Sequence, residues 1–112
     1  MEIFQTTTDE GVMTLTMSGR LDADTTDRFA EVLTRVIDQG NHRLILECAG
    51  VDYMNSVGLR ALMAAAKRIA TLGGKIVLCA PHPRVVKLLE VAGFASILPI
   101  AATRNEALER VR

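Results

Sequence analysis

Short apolar runs alternate with longer amphipathic segments along most of this chain, and no other sequence feature constrains its fold as strongly. Residues 44–46 form an apolar run that is too short for a helix and is typical of a strand buried on both faces of a sheet. Residues 75–79 are predicted to form another short apolar strand. Residues 12–17 instead alternate apolar and polar side chains, which predicts a half-buried strand. After a turn signal at residues 9–11, this strand would pair with residues 2–6 in an N-terminal hairpin.

Four segments between and after these runs have the residue spacing of amphipathic helices. Gly40 and the pair Gly73 and Gly74 supply the C-terminal stops of the first two. The fourth begins with the form of a capping box, in which Thr103 is followed three residues later by Glu106. The residues predicted to face inward are, helix by helix, Phe29, Leu33, Val36 and Ile37; Leu59, Leu62, Met63, Ala66, Ile69 and Ala70; Val85, Val86 and Leu89; and Ala107, Leu108 and Val111.

The predicted element order is β-β-α-β-α-β-α-β-α, with residues 97–100 as the last strand. Strands that alternate with helices after a hairpin imply right-handed parallel crossovers and a sheet covered by helices. The predicted class is therefore α/β, with a small, mixed and mainly parallel sheet, an N-terminal hairpin and about four helices packed mainly on one side. The 112 residues, 49% of them hydrophobic, suit one core, so residues 1–112 are expected to form a single domain.

The balance of charge argues against recognition through a general electrostatic field. The chain has 13 Lys and Arg against 13 Asp and Glu, which leaves no footprint for direct binding to nucleic acid or to an anionic membrane. The N-terminal residues lack the pattern of a secretion signal, and no later run approaches the ~18 apolar residues of a membrane span. We therefore expect a cytoplasmic protein without membrane insertion, whose recognition is local.

Catalytic and metal-binding patterns find little support in the sequence. His42 and His82 are isolated beside loop signals, which favours solvent-exposed loop positions over ligand or general-base roles. Cys48 and Cys79 lie in apolar runs without metal-ligand spacing, which favours buried free thiols. We expect no catalytic residues, no metal site and no cofactor, and therefore no enzymatic activity.

The most informative segment lies between Tyr53 and Arg60, where a hydroxyl stands at the start of a helix directly after the central strand. Loops after the carboxyl ends of strands are the usual functional edge of an open α/β sheet. Ser56 admits two interpretations: its hydroxyl caps the helix, or it accepts a phosphoryl group that the helix N-terminal amides and dipole stabilise. Gly58 is unfavourable near a helix start, which suggests that another chain or backbone approaches closely.

Four stretches together resemble the STAS-domain anti-sigma factor antagonists of bacteria, over essentially the whole chain. They are Gly19-Arg20-Leu21-Asp22, the strand Leu44-Ile45-Leu46, the loop and helix start Tyr53-Met54-Asn55-Ser56-Val57-Gly58-Leu59, and Gly73-Gly74-Lys75 leading to the strand through Cys79. Members of this family bind an anti-sigma factor that is a serine kinase and are switched off when that kinase phosphorylates them. Ser56 occupies the position of the phosphorylated serine in the family motif Asp-Ser-Ser/Thr-Gly-Leu.

The resemblance implies a partner-binding surface made by Asp22, Asn55, Ser56, Val57 and Gly58, with Ser56 as the phosphoacceptor. The implied partners are an anti-sigma factor serine kinase and a serine phosphatase. Two positions depart from the motif, because Asn55 stands where an acid usually precedes the serine and Val57 replaces the following hydroxyl residue. Local chemistry alone also allows Asp22 to be simply a turn or helix-cap residue.

Two arginines lie close in sequence to the predicted surface, and the family allows a second role for the chain. Arg20 and Arg60 are candidates to flank the predicted surface, although exposed arginines are more often simply solvated. STAS domains also occur in transport and sensory complexes, so a second hypothesis makes the chain an interaction or ligand-binding module that is not phosphorylated. The lack of an attached domain in the sequence favours the first hypothesis, an antagonist that regulates sigma-factor-dependent transcription.

Overall fold

The computed structural model describes residues 1–8, 10–94 and 97–112, which form a five-stranded sheet and four helices. In chain order the elements are β1 (Glu2–Thr7), β2 (Met13–Leu21), α1 (Thr26–Asp38), β3 (Arg43–Met54), α2 (Ser56–Thr71), β4 (Lys75–Cys79), α3 (Pro83–Val91), β5 (Ile100–Ala101) and α4 (Arg104–Val111). The predicted α/β class and element order are confirmed. Asp9, in the predicted hairpin turn, lies outside the described residues.

The strands lie in the sheet in the order in which they occur in the chain, β1-β2-β3-β4-β5. β1 pairs antiparallel with β2, and each later neighbouring pair is parallel. β3 has 12 residues, but β4 pairs only with its first part, from Arg43 to Glu47. The second part of β3 therefore runs on beside β2 alone, until Leu21 and Met54 lie opposite each other. This two-stranded extension carries the candidate site.

Helices α1, α2 and α3 pack on one face of the sheet, and α4 packs on the other. Because successive parallel strands are added in one direction, right-handed crossovers place their helices on the same face. Leu44 and Leu46 of β3 accordingly contribute to the large core with α1 to α3, whereas Ile45 packs in a smaller core with Ala107 and Val111 of α4. The prediction that the helices lie mainly on one side is confirmed, and β3 is buried on both faces.

Thr14 and the last strand differ from the sequence-based expectation. The alternation in residues 12–17 predicts a solvent-facing Thr14, but this residue lies opposite Ile45, on the face that α4 covers, and is fully buried. The last strand consists of Ile100–Ala101 rather than residues 97–100. Proline has no N–H to donate, so Pro99 cannot extend the ladder on both sides.

The two thiols are buried and free of a disulfide, as predicted, and the Cys48 thiol donates to the Cys79 carbonyl at 3.7 Å. Burial raises the pKa of the Cys48 thiol to about 12, with smaller contributions from Cys79 and Glu47. Burial also raises the pKa of Cys79. Because the thiolate is the reactive form of cysteine, both side chains are kept in their unreactive, protonated form at neutral pH.

The two histidines lie in loops, as predicted, but they are half-buried, so the prediction that they are solvent-exposed is wrong. His82 caps α3, since its Nδ1 accepts a hydrogen bond from the Arg84 N–H at 3.1 Å. The His42 carbonyl accepts a bond from the Lys75 N–H at 2.8 Å, and a Cβ on Gly74 would lie only 1.9 Å from its oxygen. The His82 side chain therefore has a local structural role that the sequence did not indicate, whereas His42 contributes its backbone carbonyl.

Candidate functional site

The candidate site lies where β2 and β3 end side by side. Leu21 and Met54 are opposite each other in the parallel register, and the Asn55 N–H donates to the Leu21 carbonyl at 2.9 Å. This bond joins the start of the loop after β2 to the start of α2. Asp22 and Ser56, which are distant in sequence, are consequently brought to the same edge of the sheet.

Asn55, rather than Ser56, caps helix α2. Asn55 has extended backbone geometry, and its Oδ1 accepts a hydrogen bond from the Gly58 N–H at 2.8 Å. An amide oxygen at this position satisfies one of the N–H groups that a helix start leaves without a partner. The interpretation of the Ser56 hydroxyl as the helix cap is therefore wrong, because the preceding residue performs that role.

Ser56 is the first residue of α2 and is exposed to solvent. The hydrogen bonds found within residues 1–8, 10–94 and 97–112 do not involve its hydroxyl. The side chain is therefore accessible to a modifying enzyme, and a change there would not remove a bond that supports the fold. Whether Ser56 is a phosphoacceptor stays a prediction.

Gly58 is buried under the start of α2. A Cβ at this position would lie 3.3 Å from Leu21 Cβ, 3.3 Å from Met54 Cγ and 3.4 Å from Asn55 Oδ1. The close approach that the sequence suggested is thus explained by side chains of the same chain. Because Gly58 is buried, it can affect partner binding through the packing of its neighbours. The role of Gly58 in partner binding stays a prediction.

Asp22 shapes the neighbouring loop and is half-buried. Its Oδ1 accepts from the Asp24 N–H at 3.0 Å, and its own N–H donates to Thr25 Oγ1 at 3.0 Å. The Thr25 hydroxyl in turn donates to the Arg20 carbonyl at 2.6 Å. Asp22 is therefore a turn residue, while Thr25 is the cap position of α1. The second carboxylate oxygen of Asp22, Oδ2, takes no part in these bonds. Asp22 can therefore form the turn and still bind a partner, which stays a prediction.

Exposed apolar and basic side chains lie at the same end of the sheet as Ser56. Tyr53 is 40% exposed and Val57 48% exposed, whereas Met54 packs against the core. The Arg20 guanidinium lies 4.3 Å from the centre of the Tyr53 ring, which is the geometry of a cation–π contact. Arg60 is also exposed, and its Nε donates to the Ser56 carbonyl at 3.4 Å. The surface therefore combines an aromatic ring, an aliphatic side chain and two guanidinium groups.

The electrostatics of the α2 start favour an added negative charge. Residues 56–59, all within the described chain, include no acid, and the capping side chain of Asn55 is uncharged. Free N–H groups and the helix dipole give this end a partial positive charge.

Within the described residues, no cluster of three or more His, Cys, Asp and Glu side chains could hold a metal ion. In the same part of the chain, no helix has both the length and the apolar character needed to cross a membrane.

Comparison with known families identifies the fold family. The family model of the STAS domain matches residues 4–107. This chain belongs to the STAS domain family. Among related proteins, BtrV of Bordetella bronchiseptica, named as an anti-sigma factor antagonist, is 31% identical over 98 residues, which are 88% of this chain and 84% of BtrV. The anti-sigma F factor antagonist of Paenibacillus polymyxa is 29% identical over 99 residues, 88% of this chain and 85% of that protein.

A solved structure supports the same assignment. The crystal structure of a Thermotoga maritima protein, described as an anti-sigma factor antagonist, superposes with a TM-score of 0.89 at 25% identity. The alignment covers 98% of this chain and 94% of that one. The resemblance to STAS-domain antagonists is thereby confirmed at the level of both sequence and fold.

One feature of this STAS domain was missed by sequence reasoning. Arg20 and Tyr53 were noted separately, but their contact was not foreseen because the β2–β3 register shifts between Thr16 and Ser18 and again between Gly19 and Arg20. Gly19 has a φ of +112°, a conformation that glycine adopts far more readily than other residues. The glycine of the Gly-x-Leu-Asp turn was the available signal, since irregular strand pairing often occurs at such a residue.

Proposed function

We propose that this STAS domain is an anti-sigma factor antagonist that binds an anti-sigma factor of the serine-kinase type. Asp22 and residues 55–58 form the centre of the binding surface, and phosphorylation of Ser56 releases the partner. The observation that carries this proposal is the exposed Ser56 hydroxyl at the first position of α2, beside a cap supplied by Asn55. The names of the two related antagonists support the class of partner.

The start of α2 is suited to carry a phosphate without loss of the fold. Ser56 is exposed, so the added oxygens need not displace core side chains. The N–H groups of the first turn and the helix dipole favour the roughly two negative charges that a phosphate adds. Asn55 carries no charge and therefore does not repel an incoming phosphoryl group. We expect the phosphorylated chain to stay folded.

The same phosphate would oppose partner binding. At a close interface the dianion must lose its water or face acidic groups of the partner. A penalty of about 3 kcal/mol lowers affinity roughly a hundredfold, which suffices for release. A serine phosphatase would restore binding, and the antagonist would then again sequester its partner and free the sigma factor. In this role the chain acts in the cytoplasm as a regulatory binding protein rather than as an enzyme.

Phosphorylation by the serine-kinase-type anti-sigma factor of the same organism tests the proposal. After incubation with ATP, intact-mass measurement and peptide mapping should find one added phosphoryl group, on Ser56. Ser56→Ala should abolish modification while retaining binding. Thr103→Ala removes a hydroxyl at the start of another helix, α4, and should leave modification unchanged. Modification of a different hydroxyl, or no binding of the wild-type chain to the anti-sigma factor, would contradict the proposal.

The variant Asn55→Asp tests whether phosphorylation of Ser56 requires an acid at the preceding position. This variant keeps an oxygen acceptor at the cap and restores the acid of the family motif before Ser56. We expect wild type and Asn55→Asp both to be modified. If only Asn55→Asp is modified, the kinase requires the acid, and the native chain binds constitutively without being switched.

A further inference from the structure

We propose that Arg20 and Tyr53, at the same end of the sheet as Ser56, form a second recognition element, here called the Arg20–Tyr53 platform. It would bind an acidic side chain of the partner that stands next to an apolar side chain. The inference rests on the proposed function, because the partner in question is the anti-sigma factor. The platform adds Arg20 and Tyr53 to the proposed binding surface, which otherwise consists of Asp22 and residues 55–58.

The geometry of the platform prepares it for binding. The Arg20 guanidinium lies 4.3 Å from the centre of the Tyr53 ring, while both side chains are exposed. Stacking on a ring limits the conformations of a long side chain before a partner arrives, so less conformational entropy is lost on binding. A stacked guanidinium still directs its N–H groups outward in its plane, where they can donate two parallel bonds to a carboxylate.

The position of the platform follows from the irregular pairing of β2 with β3. The register shift between Gly19 and Arg20 places Arg20 opposite Tyr53, immediately before the pair of Leu21 and Met54. Bulges of this kind commonly re-aim a side chain next to a functional site. The Asn55 N–H bond to the Leu21 carbonyl then connects this pair of strands to the start of α2. Leu21 and Met54 face the core under α2, so Arg20 and Tyr53 point to the other face of the two strands. The platform and Ser56 therefore lie at the same end of the sheet, where one partner can contact both.

The chemistry of the platform indicates the complementary group. Tyr53 and Val57 are 40% and 48% exposed, so each offers an apolar group to a partner at this end of the sheet. Arg20 supplies a cation, whereas the Asp22 carboxylate accepts a bond from its own loop. Tyr and Arg are enriched among the residues that dominate interface energies. An acidic residue flanked by an apolar one is the partner group that matches this combination.

Titration calorimetry of four variants against the anti-sigma factor tests the platform. We expect Tyr53→Ala and Arg20→Gln each to weaken binding at least about tenfold. Tyr53→Phe keeps the ring and should stay within about twofold, and Arg20→Lys keeps the charge without the planar fork and should fall between. Phe4→Ala and Arg84→Gln, an exposed ring on β1 and an exposed guanidinium on α3, are matched controls and should bind as wild type.

A double variant asks whether the two residues act as a unit. If the ring positions the guanidinium, Tyr53→Ala with Arg20→Gln should lose less affinity than the product of the two single losses. Arg20→Gln should also reduce the salt dependence of association. Melting temperatures of all variants should stay close to wild type, since both side chains are exposed.

The outcomes distinguish this inference from the proposed function. If the wild-type chain does not bind the anti-sigma factor, the proposed function fails and the platform fails with it. If the wild-type chain binds but Tyr53→Ala and Arg20→Gln bind within about twofold of it, the platform alone is overturned. Equal losses in Phe4→Ala would likewise overturn it, because the effect would then not be local to the platform.

Discussion

The starts of α2 and α4 have similar caps but differ in their charge and in their packing. In α2 the Asn55 side chain accepts from the N–H three residues later, at Gly58, and in α4 the Thr103 side chain accepts from the N–H at Glu106. The carboxylate of Glu106 also accepts from the Ala102 N–H at 3.0 Å, so α4 has its own negative charge at its positive end. The first turn of α2 contains no acid.

This difference indicates what each helix start is suited for. At α4 the Glu106 carboxylate is part of the chain and already supplies a negative charge at the positive helix end, which stabilises the helix. At α2 the cap is neutral, the first residue is an exposed serine, and the residue three positions after the cap is a buried glycine. A negative charge can be added there by modification and removed again, which is the requirement for a switch.

The largest difference in stability between the two helix starts should come from substitutions three residues after the cap, at Gly58 and Glu106. Gly58→Leu forces a side chain against Leu21 and Met54, which a Cβ alone would already approach to 3.3 Å. We expect the free energy of unfolding, measured by urea denaturation, to fall by about 3 kcal/mol. Glu106→Leu, at the exposed equivalent, should cost about 1 kcal/mol, because the variant loses the bond from the Ala102 N–H and the negative charge at the start of α4. Equal losses would show that the two helix starts are not packed differently.

The caps themselves should contribute equally. Asn55→Ala and Thr103→Ala each remove an oxygen that accepts one N–H bond, so each should lower the free energy of unfolding by about 1 kcal/mol. Ser56→Ala, which leaves the Asn55 cap intact, should change it by only a few tenths of a kcal/mol. A larger loss in Ser56→Ala than in Asn55→Ala would return the capping role to the serine.

The smallest effect is the response of each helix to a single charge. Ser56→Asp introduces a carboxylate at the positive end of α2 and should raise the free energy of unfolding by about 0.5 kcal/mol at low salt. Glu106→Gln removes the charge of α4 but keeps an acceptor, so it should lower it by a similar amount. Both differences should shrink in about 1 M salt, because the Debye length falls to about 3 Å. A destabilising Ser56→Asp would contradict the electrostatic comparison.

The sequence was sufficient to predict the fold because its local signals agree with one another. The apolar run at residues 44–46 predicted a buried central strand, and the glycines after α1 and α2 predicted the helix ends. Thr14 escaped prediction because its burial depends on α4, which lies across the sheet about ninety residues later in the chain.

Two features of the candidate site could not be predicted from the sequence, namely the residue that caps α2 and the contact between Arg20 and Tyr53. The sequence placed Ser56 at a helix start, but Asn55 and Ser56 are both good capping residues, and only backbone geometry distinguishes them. The contact of Arg20 with Tyr53 depends on shifts in strand register, which side-chain alternation does not encode. The predicted role of Ser56 came instead from its place in a family motif.

The affinity of the anti-sigma factor for the unphosphorylated and Ser56-phosphorylated chain tests the central claim most directly. Phosphoserine can be installed at residue 56 during synthesis, so the measurement does not depend on the activity of the kinase. We predict that calorimetry finds affinity for the phosphorylated chain lower by roughly a hundredfold, with an unchanged fold by circular dichroism. Equal affinities of the two folded forms would contradict the account, because the exposed serine at the start of α2 would then not control partner binding.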